Sequence, residues 1–332
     1  MDKVIAGRFD VVVVGGGTAG LAGALTLARA RRSVLVLDAG SPRNAPAARL
    51  HGYLGHDGES PAGLLERGRA EAAGYGAQIR TGAAGTAIAA DREPDGGFLI
   101  RCGDGSAARA RRLLVATGLV DELPPVPGLR ARWGRDVLHC PYCHGWEVRD
   151  LPLAVLAASR TGPLAVHQAL LWRQWSDRVT LLAHTWRPGA PERELLAARG
   201  IAVAEGEVTG LAVDADDRLS GVVLGEGAAV EPCRALVVAP RLTARAGVLT
   251  GLGLPLTTVE RDGAVLGTCV ASNPQTGATA LAGVWVAGNV TAPMKQLAGA
   301  AAQGVRAAAA LNADLVEAET RRALRAYRGD PG

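Results

Sequence analysis

Cys140 and Cys143 stand two residues apart in the run His139-Cys140-Pro141-Tyr142-Cys143-His144. Thiols at that spacing can close and reopen a disulfide with little backbone movement. The attacking species in such exchange is the thiolate, whose pKa falls beside positive charge or at a helix N-terminus. His144, adjacent to Cys143, can take or give a proton near neutral pH. Cys140, Cys143 and His144 are therefore the candidate catalytic residues, while His139 reads more simply as packing. Metal binding is the rival use of the pair. A zinc site wants four ligands, commonly from a second CxxC or paired histidines. The chain has no second CxxC, and no metal is expected. Cys102, Cys233 and Cys269 are widely spaced and read as small buried hydrophobes.

A redox pair needs a route for its electrons, and the N-terminal segment offers one. Gly15-x-Gly17-x-x-Gly20 follows a strand expected over 9–14 and opens an Ala/Leu-rich helix expected over 21–31. Gly15 permits the tight turn, Gly17 lets the backbone approach a pyrophosphate, and Gly20 lets the helix pack close to the sheet. The helix start, with Thr18 and Ala19, offers free N–H groups and partial positive charge to phosphates. Asp38 closes the next strand, 33–37, where an acid accepts ribose hydroxyls and repels a 2′-phosphate. The ligand of this loop is thus FAD or NAD rather than NADP. Two further loops favour FAD. Ala116-Thr117-Gly118 ends a strand, and Gly288-Asn289 ends another before Lys295-Gln296 and an Ala-rich helix over 296–311. Flavoproteins of this architecture place such loops along the flavin and ribityl chain. Ala39, Arg43 and Asn44 follow Asp38 closely enough to touch the same cofactor. His51, Tyr53 and His56 lie in the loop at 50–58, where they can face flavin or substrate or serve ordinary loop packing.

The elements around these motifs set the domain plan. A chain of 332 residues, 48% hydrophobic, allows roughly two domains. Three prolines at 122–128 mark a stiff linker. Beyond it, strands at 153–157 and 179–183 alternate with helices at 165–175 and 192–199, a second βαβ unit. Trp172, Trp175 and Trp186 fall in that unit and should fill its core. The layout predicts an α/β protein of two Rossmann-like, three-layer domains. An FAD domain, 1–120 plus 245–332, would hold an inserted NAD(P)-type domain, 121–244, that carries the CxxC. The net charge of +4 is almost wholly dispersed arginine, which argues against nucleic-acid binding. No apolar run reaches the ~18 residues of a membrane span. Residues 1–10 lack the apolar core of a signal peptide, so a cytoplasmic setting is expected.

The Gly15–Gly20 loop (GGGTAG), Asp38, the ATG at 116–118, CPYC at 140–143 and AGN at 287–289 together resemble the low-molecular-weight thioredoxin reductases over nearly the whole chain. The resemblance implies FAD in the outer domain, NADPH in the inserted one, and a homodimer. It also implies that Cys143 faces the flavin and that Cys140 exchanges with substrate. In ordinary thioredoxin reductases an acid follows the pair. Here His144 does, as in the branch of gliotoxin- and holomycin-type dithiol oxidases, which the CPYCHGWE stretch resembles more closely. Those enzymes close a disulfide in a small natural-product dithiol and pass the electrons through CxxC and FAD to dioxygen.

Two departures stand out, and the first bears on direction. The inserted domain should carry its own glycine loop, but the strand at 153–157 is followed by Ala158-Ser159-Arg160-Thr161-Gly162-Pro163. Only Gly162 remains, and Pro163 lacks an N–H. After the strand at 179–183 comes His184-Thr185-Trp186-Arg187, with one arginine where a 2′-phosphate clamp uses more. Asn289 is the other departure, since many relatives have an acid there; an amide can still bond a hydroxyl. Without efficient hydride input, electrons must enter from the dithiol side. The expected activity is an FAD-dependent dithiol oxidase acting on a small-molecule dithiol and dioxygen. Its alternatives are an NADPH-dependent reductase of thioredoxin and a non-catalytic flavoprotein that senses redox state.

Overall fold

Val11, Val12, Val13 and Val14 are all buried because their strand is covered on both faces. Val12 and Val14 enter one core, with Leu35, Leu37, Leu113 and Val286. Val11 and Val13 enter the other, with Val34, Val36, Leu114 and Trp285. The period-two alternation of side chains thus builds a sheet between two layers. The computed structural model describes residues 3–329 except 160, 226–228 and 262.

The strand Lys3–Val14 is central in a seven-stranded sheet. It pairs in parallel with Val34–Asp38 on one side and Ser106–Val115 on the other. Ser106–Val115 has two partners on its far edge. Phe98–Cys102 runs antiparallel along its first half, and Val284–Val286 runs parallel along Leu113–Val115. Four parallel strands therefore end side by side, at Asp38, Val14, Val115 and Val286. Their carboxyl ends bring Gly15, Ala116 and Gly288 to one crevice, the place where open α/β sheets bind ligands.

A second sheet has five parallel strands, in the order Ala202–Glu205, Val179–Ala183, Leu153–Leu156, Ala235–Val237, Val137–Leu138. Its edge strand, Val137–Leu138, leads directly into His139 and Cys140. Helix Gly162–Trp172 covers one face through Ala165, Ala169 and the fully buried Trp172. The meander Val208–Val213, Leu219–Leu224 and Ala229–Pro232 covers the other. Each lobe is a three-layer, Rossmann-like unit. The chain passes between the sheets along Leu119–Glu122 and returns along Arg241–Ala244, and these two strands pair antiparallel.

The helix expected over 296–311 runs as Leu297–Arg328. Its extension buries Leu315 in the core of the first lobe and is further tied down by charge. Glu319 accepts from Arg32 and Arg111, each at 2.6 Å. The helix expected over 165–175 is shifted to Gly162–Trp172, with Pro163 in its first turn, where a missing N–H is harmless. Gly304, which interrupts the Ala-rich run, lies where Leu297–Arg328 crosses Thr18–Arg29; a Cβ there would strike the carbonyl of Ala19. Gly304→Ala is therefore expected to lower stability by about 1–3 kcal/mol, read as an earlier midpoint in urea unfolding. An unchanged midpoint would mean the crossing has slack.

Candidate active site

The crevice of the first sheet is shaped by close backbone approach. Gly15 adopts φ +107°, and a side chain there would strike the carbonyl of Ala116. Gly20 faces the carbonyl of Gly15, so it serves the helix–sheet packing and does not border the cavity. Gly17 has open space where a Cβ would sit. No side chain caps the helix Thr18–Arg29 that starts behind it, so its first N–H groups remain available. Asp38 is buried at the end of its strand, and its Oδ1 accepts from the Gly40 N–H at 3.0 Å. Arg69 lies 3.5 Å from the other oxygen. A cavity of about 910 Å³ is bordered by this loop, Asp38 and Ala39, the segment Ala116–Gly118, Gly288, and both cysteines. An uncapped helix start beside a buried acid suits the pyrophosphate and ribose of a dinucleotide.

At the other end of the cavity, Cys140 precedes a short helix, Pro141–His144. The N–H groups of Cys143 and His144 both donate to the Cys140 carbonyl at 3.2 Å. Both cysteines are free thiols. The Cys140 Sγ accepts from Gln296 Nε2 at 3.7 Å. A hydrogen bond from Cys143 outweighs burial and, with Gln296, brings the Cys140 thiol down to about 7. The same bond, with burial, raises the Cys143 thiol. Hydrogen bonding within the pair thus favours the thiolate at Cys140 over Cys143.

The flanking histidines are short of partners. Burial, with Arg43 nearby, pushes His139 down to about 4, and its Nδ1 has no hydrogen-bond partner. Burial also lowers His144, partly offset by the charge of Glu147. Neither ring nitrogen of His144 has a partner in the protein. His144 is thus a neutral imidazole with both nitrogens uncommitted beside the thiols.

Other residues singled out from the sequence also border the cavity, with duties of their own. Arg43 forms a two-pronged ion pair with Asp121, at 2.7 and 2.8 Å, so its main partner is a protein carboxylate and not a free phosphate. Asn44 and Ala39 line the wall near Asp38. Thr117 Oγ1 donates to the Arg245 carbonyl at 2.6 Å. Asn289 Nδ2 donates to the carbonyls of Ala292, Pro293 and Lys295 at 2.9–3.1 Å, fixing the loop that presents Gln296. Gln296 reaches Cys140, and Lys295 contributes its carbonyl to Asn289 and borders the cavity. His51 borders the cavity and sits against Glu147 and Asp57, each at 3.3 Å. Sequence reasoning missed Asp121 and Glu147. Asp121 had a faint signal, an acid on the inward-facing register of the strand Leu119–Glu122.

In the second lobe the equivalent loop is filled. The Ser159 N–H donates to Thr185 Oγ1 at 2.9 Å, and the N–H groups of Thr185 and Trp186 donate to the Ala157 carbonyl at 3.3 Å. The Trp186 indole lies directly on Gly162, at the start of its helix. Arg187 and Arg193 both pair with Glu205. Arg160 lies outside the described residues. Among the described residues, no group of three or more His, Cys, Asp or Glu side chains could hold a metal ion. No described helix is long and apolar enough to cross a membrane.

Two Rossmann-like lobes, with a dinucleotide crevice in one and a dithiol just beyond an edge strand of the other, define a nucleotide-dependent disulfide oxidoreductase. Residues 9–304 match the model of the pyridine nucleotide-disulphide oxidoreductases, and the chain belongs to that family. It is thus an enzyme of a family that typically depends on a flavin. It is 30% identical to the thioredoxin reductase sirT of Leptosphaeria maculans, over 92% of this chain and 93% of that protein. The crystal structure of HlmI matches with 44% identity and a TM-score of 0.89 over 98% of both chains. An oxidoreductase from Agrobacterium tumefaciens matches with 33% identity and a TM-score of 0.83, over 93% of this chain and 99% of that one.

In the reduced protein, alkylation of Cys140 by iodoacetamide should reach half its limiting rate near pH 7, because the thiolate fraction climbs through a pKa of about 7. Gln296→Ala and Cys143→Ala each remove a donor to Sγ and should move that midpoint to higher pH. Midpoints unchanged in both variants would show that neither donor tunes the thiol.

Proposed function

We propose that this chain is an FAD-dependent dithiol oxidase that closes a disulfide in a small natural-product dithiol, with dioxygen as final acceptor. The observation that carries this is the filled second-lobe loop. Trp186 covers Gly162, Thr185 occupies a loop N–H, and Glu205 holds Arg187 and Arg193. Reduced pyridine nucleotide would have to displace all of these to deliver a hydride. The dithiol is the remaining entry for electrons. Residues 1–120 and 245–332 would hold the FAD, and 121–244 would carry the thiols, in a cytoplasmic homodimer.

The cradle around Gly15, Gly17, Thr18, Ala19 and Asp38 would hold the phosphates and ribose of FAD, and Ala116–Gly118 with Gly288 would border its redox-active end. Bound there, FAD supplies a two-electron acceptor that dioxygen can reoxidise. The chain's own residues do the rest. In the oxidised pair, a substrate thiolate attacks the Cys140 sulfur. One S–S bond forms to substrate, and the Cys140–Cys143 bond breaks, leaving Cys143 as the departing thiolate. The second substrate thiol then attacks the substrate sulfur of the mixed disulfide and releases Cys140, whose low pKa makes it a good leaving group. Substrate has lost two electrons and two protons, and the pair has become a dithiol. His144, neutral and beside the pair, takes a substrate proton. Gln296 steadies the charge on Cys140.

The rival, NADPH-dependent reduction of thioredoxin, draws on the likeness to sirT. Anaerobic titration of the flavin-loaded protein separates the two. Dithiothreitol should bleach the flavin, air should restore it, and NADPH should act far more slowly. Rapid bleaching by NADPH would favour the reductase, and no turnover with either would favour a redox sensor. Cys143→Ser should cut dithiol turnover by about 1,000-fold or more. Full turnover in that variant would refute the scheme.

A further inference from the structure

Trp172 is fully buried, and a buried indole N–H needs an acceptor. It finds one a turn earlier on its own helix, where Trp172 Nε1 donates to Gln168 Oε1 at 3.0 Å. An indole nitrogen is a donor only, so this bond fixes which way round the amide lies. The Gln168 carbonyl faces the indole, and its NH2 group faces away. Among the described residues, nothing in the protein accepts from that group. It is not sealed in the core either, in contrast to the unpartnered Trp285 Nε1. Gln168 and Leu171, three apart on one helix face, border the cavity that also meets Cys140 and Cys143. The free NH2 group is therefore a fixed, unused donor presented to the thiol cavity.

The same tryptophan ties this donor to the thiols. Trp172 packs on Trp175, with ring centroids 6.1 Å apart. Trp175 in turn meets the Tyr142 ring edge to face at 5.6 Å. Tyr142 stands between the two cysteines in the chain, and its side chain also borders the cavity. Trp175 lies on Gly145 as well, at the end of the thiol-bearing turn, where a Cβ would strike the indole. Three aromatic rings thus hold Gln168 and the Cys140–Cys143 turn in a fixed relation within one lobe.

We propose that Gln168 is a substrate-binding residue, and that the dithiol it selects carries a carbonyl oxygen in addition to its thiols. Under the dithiol-oxidase reading above, on which this rests, the amide names the class of dithiol. The Gln168 NH2 group holds the carbonyl while a substrate thiolate approaches Cys140. Trp172 is a positioning residue that keeps the amide from turning its own acceptor toward substrate. A side chain already held in one rotamer loses little freedom when it binds. A dithiol without an acceptor displaces water from the NH2 group and gives nothing back, which is how a polar group discriminates.

The test compares two dithiols in anaerobic reduction of the flavin-loaded protein. N,N′-dimethyl-N,N′-bis(mercaptoacetyl)hydrazine has a carbonyl beside each thiol, and butanedithiol has none. Gln168→Glu keeps the side-chain shape and an acceptor for Trp172 but loses the NH2 donor. The ratio of second-order rate constants, carbonyl-bearing dithiol over butanedithiol, should fall by about tenfold. Gln168→Met, uncharged and without a donor, should lower the same ratio. A ratio held at its wild-type value in both variants, with or without a general slowing, would overturn the proposal. Loss of flavin affinity in place of the ratio change would assign the amide to the cofactor and overturn it as well. Calorimetric binding of both dithiols to Cys140→Ser/Cys143→Ser protein, with and without Gln168→Glu, reads the same contact without chemistry. If neither dithiol reduces the wild-type flavin, the oxidase reading falls alone. The calorimetry then still decides Gln168: weakened binding of the carbonyl-bearing dithiol relative to butanedithiol supports the donor, and equal changes end it.

Discussion

The site turns on a part-buried ion pair, Arg43 with Asp121. Asp121 is only 5% exposed at its side chain, and leaving such a carboxylate buried and unpaired costs about 3–5 kcal/mol. Arg43 is thereby fixed in the loop after Asp38, and Asp121 is fixed in the strand through which the chain leaves the first sheet. The same guanidinium reaches Asn289 Oδ1 at 3.4 Å and the Pro293 carbonyl at 3.5 Å, so a third segment is gathered in. Its charge also opposes protonation of His139 and favours ionisation of Cys143. One cation thus ties together the loop beyond the dinucleotide cradle, the crossing strand and the thiol site. That economy explains why a residue positioned to touch phosphates answers to a protein carboxylate instead.

The thiol pair shows how sharply local geometry can divide two chemically equal groups. Cys140 and Cys143 are both half-buried, so burial alone would raise both. The difference comes from direction. Cys143 donates to Cys140, and Gln296 donates to the same sulfur. Cys140 collects these donors because it sits just ahead of the short helix, while Cys143 lies inside it. The exchange role assigned to Cys140 by resemblance and the thiolate character set by hydrogen bonding point to the same sulfur.

Much of this was legible in the sequence, and the boundary of legibility is physical. The strand ending at Val14, the glycine turn, the helix behind it and Asp38 are encoded within forty residues by local pattern, and the fold presents them in that order. The CPYC pair was equally plain. The extension of the last helix to Arg328 was not, because its anchors are the buried Leu315 and the ion pairs of Glu319 with Arg32 and Arg111, across some two hundred residues or more of sequence. Asp121 and Glu147 were missed for the same reason: each matters through a partner distant in sequence, Arg43 and His51. The alternation that buries Asp121 was present in Leu119–Glu122, but the prolines just beyond it drew the segment toward a linker. Trp186 was read as core filling, and it does pack. What the sequence could not reveal was that it packs on Gly162, the last glycine of an eroded nucleotide loop.

The two lobes offer an internal comparison that bears on direction. Both place a helix start behind the carboxyl end of a central parallel strand, at Thr18 in one and Gly162 in the other. In the first, Gly17 leaves open space and no side chain caps the helix. In the second, an indole fills the space and a threonine hydroxyl takes a loop N–H. Among the described residues near that site, Arg187 and Arg193 pair with Glu205, so a 2′-phosphate drawing on them would have to compete with an existing carboxylate. One crevice is open and the other is packed from within, which favours the proposed function over a nicotinamide-driven one. Under the proposed function nothing is lost by this. The electrons come in with the substrate, at Cys140, and the second lobe is left to act as the rigid sheet that holds Val137–Leu138 and the thiols in register.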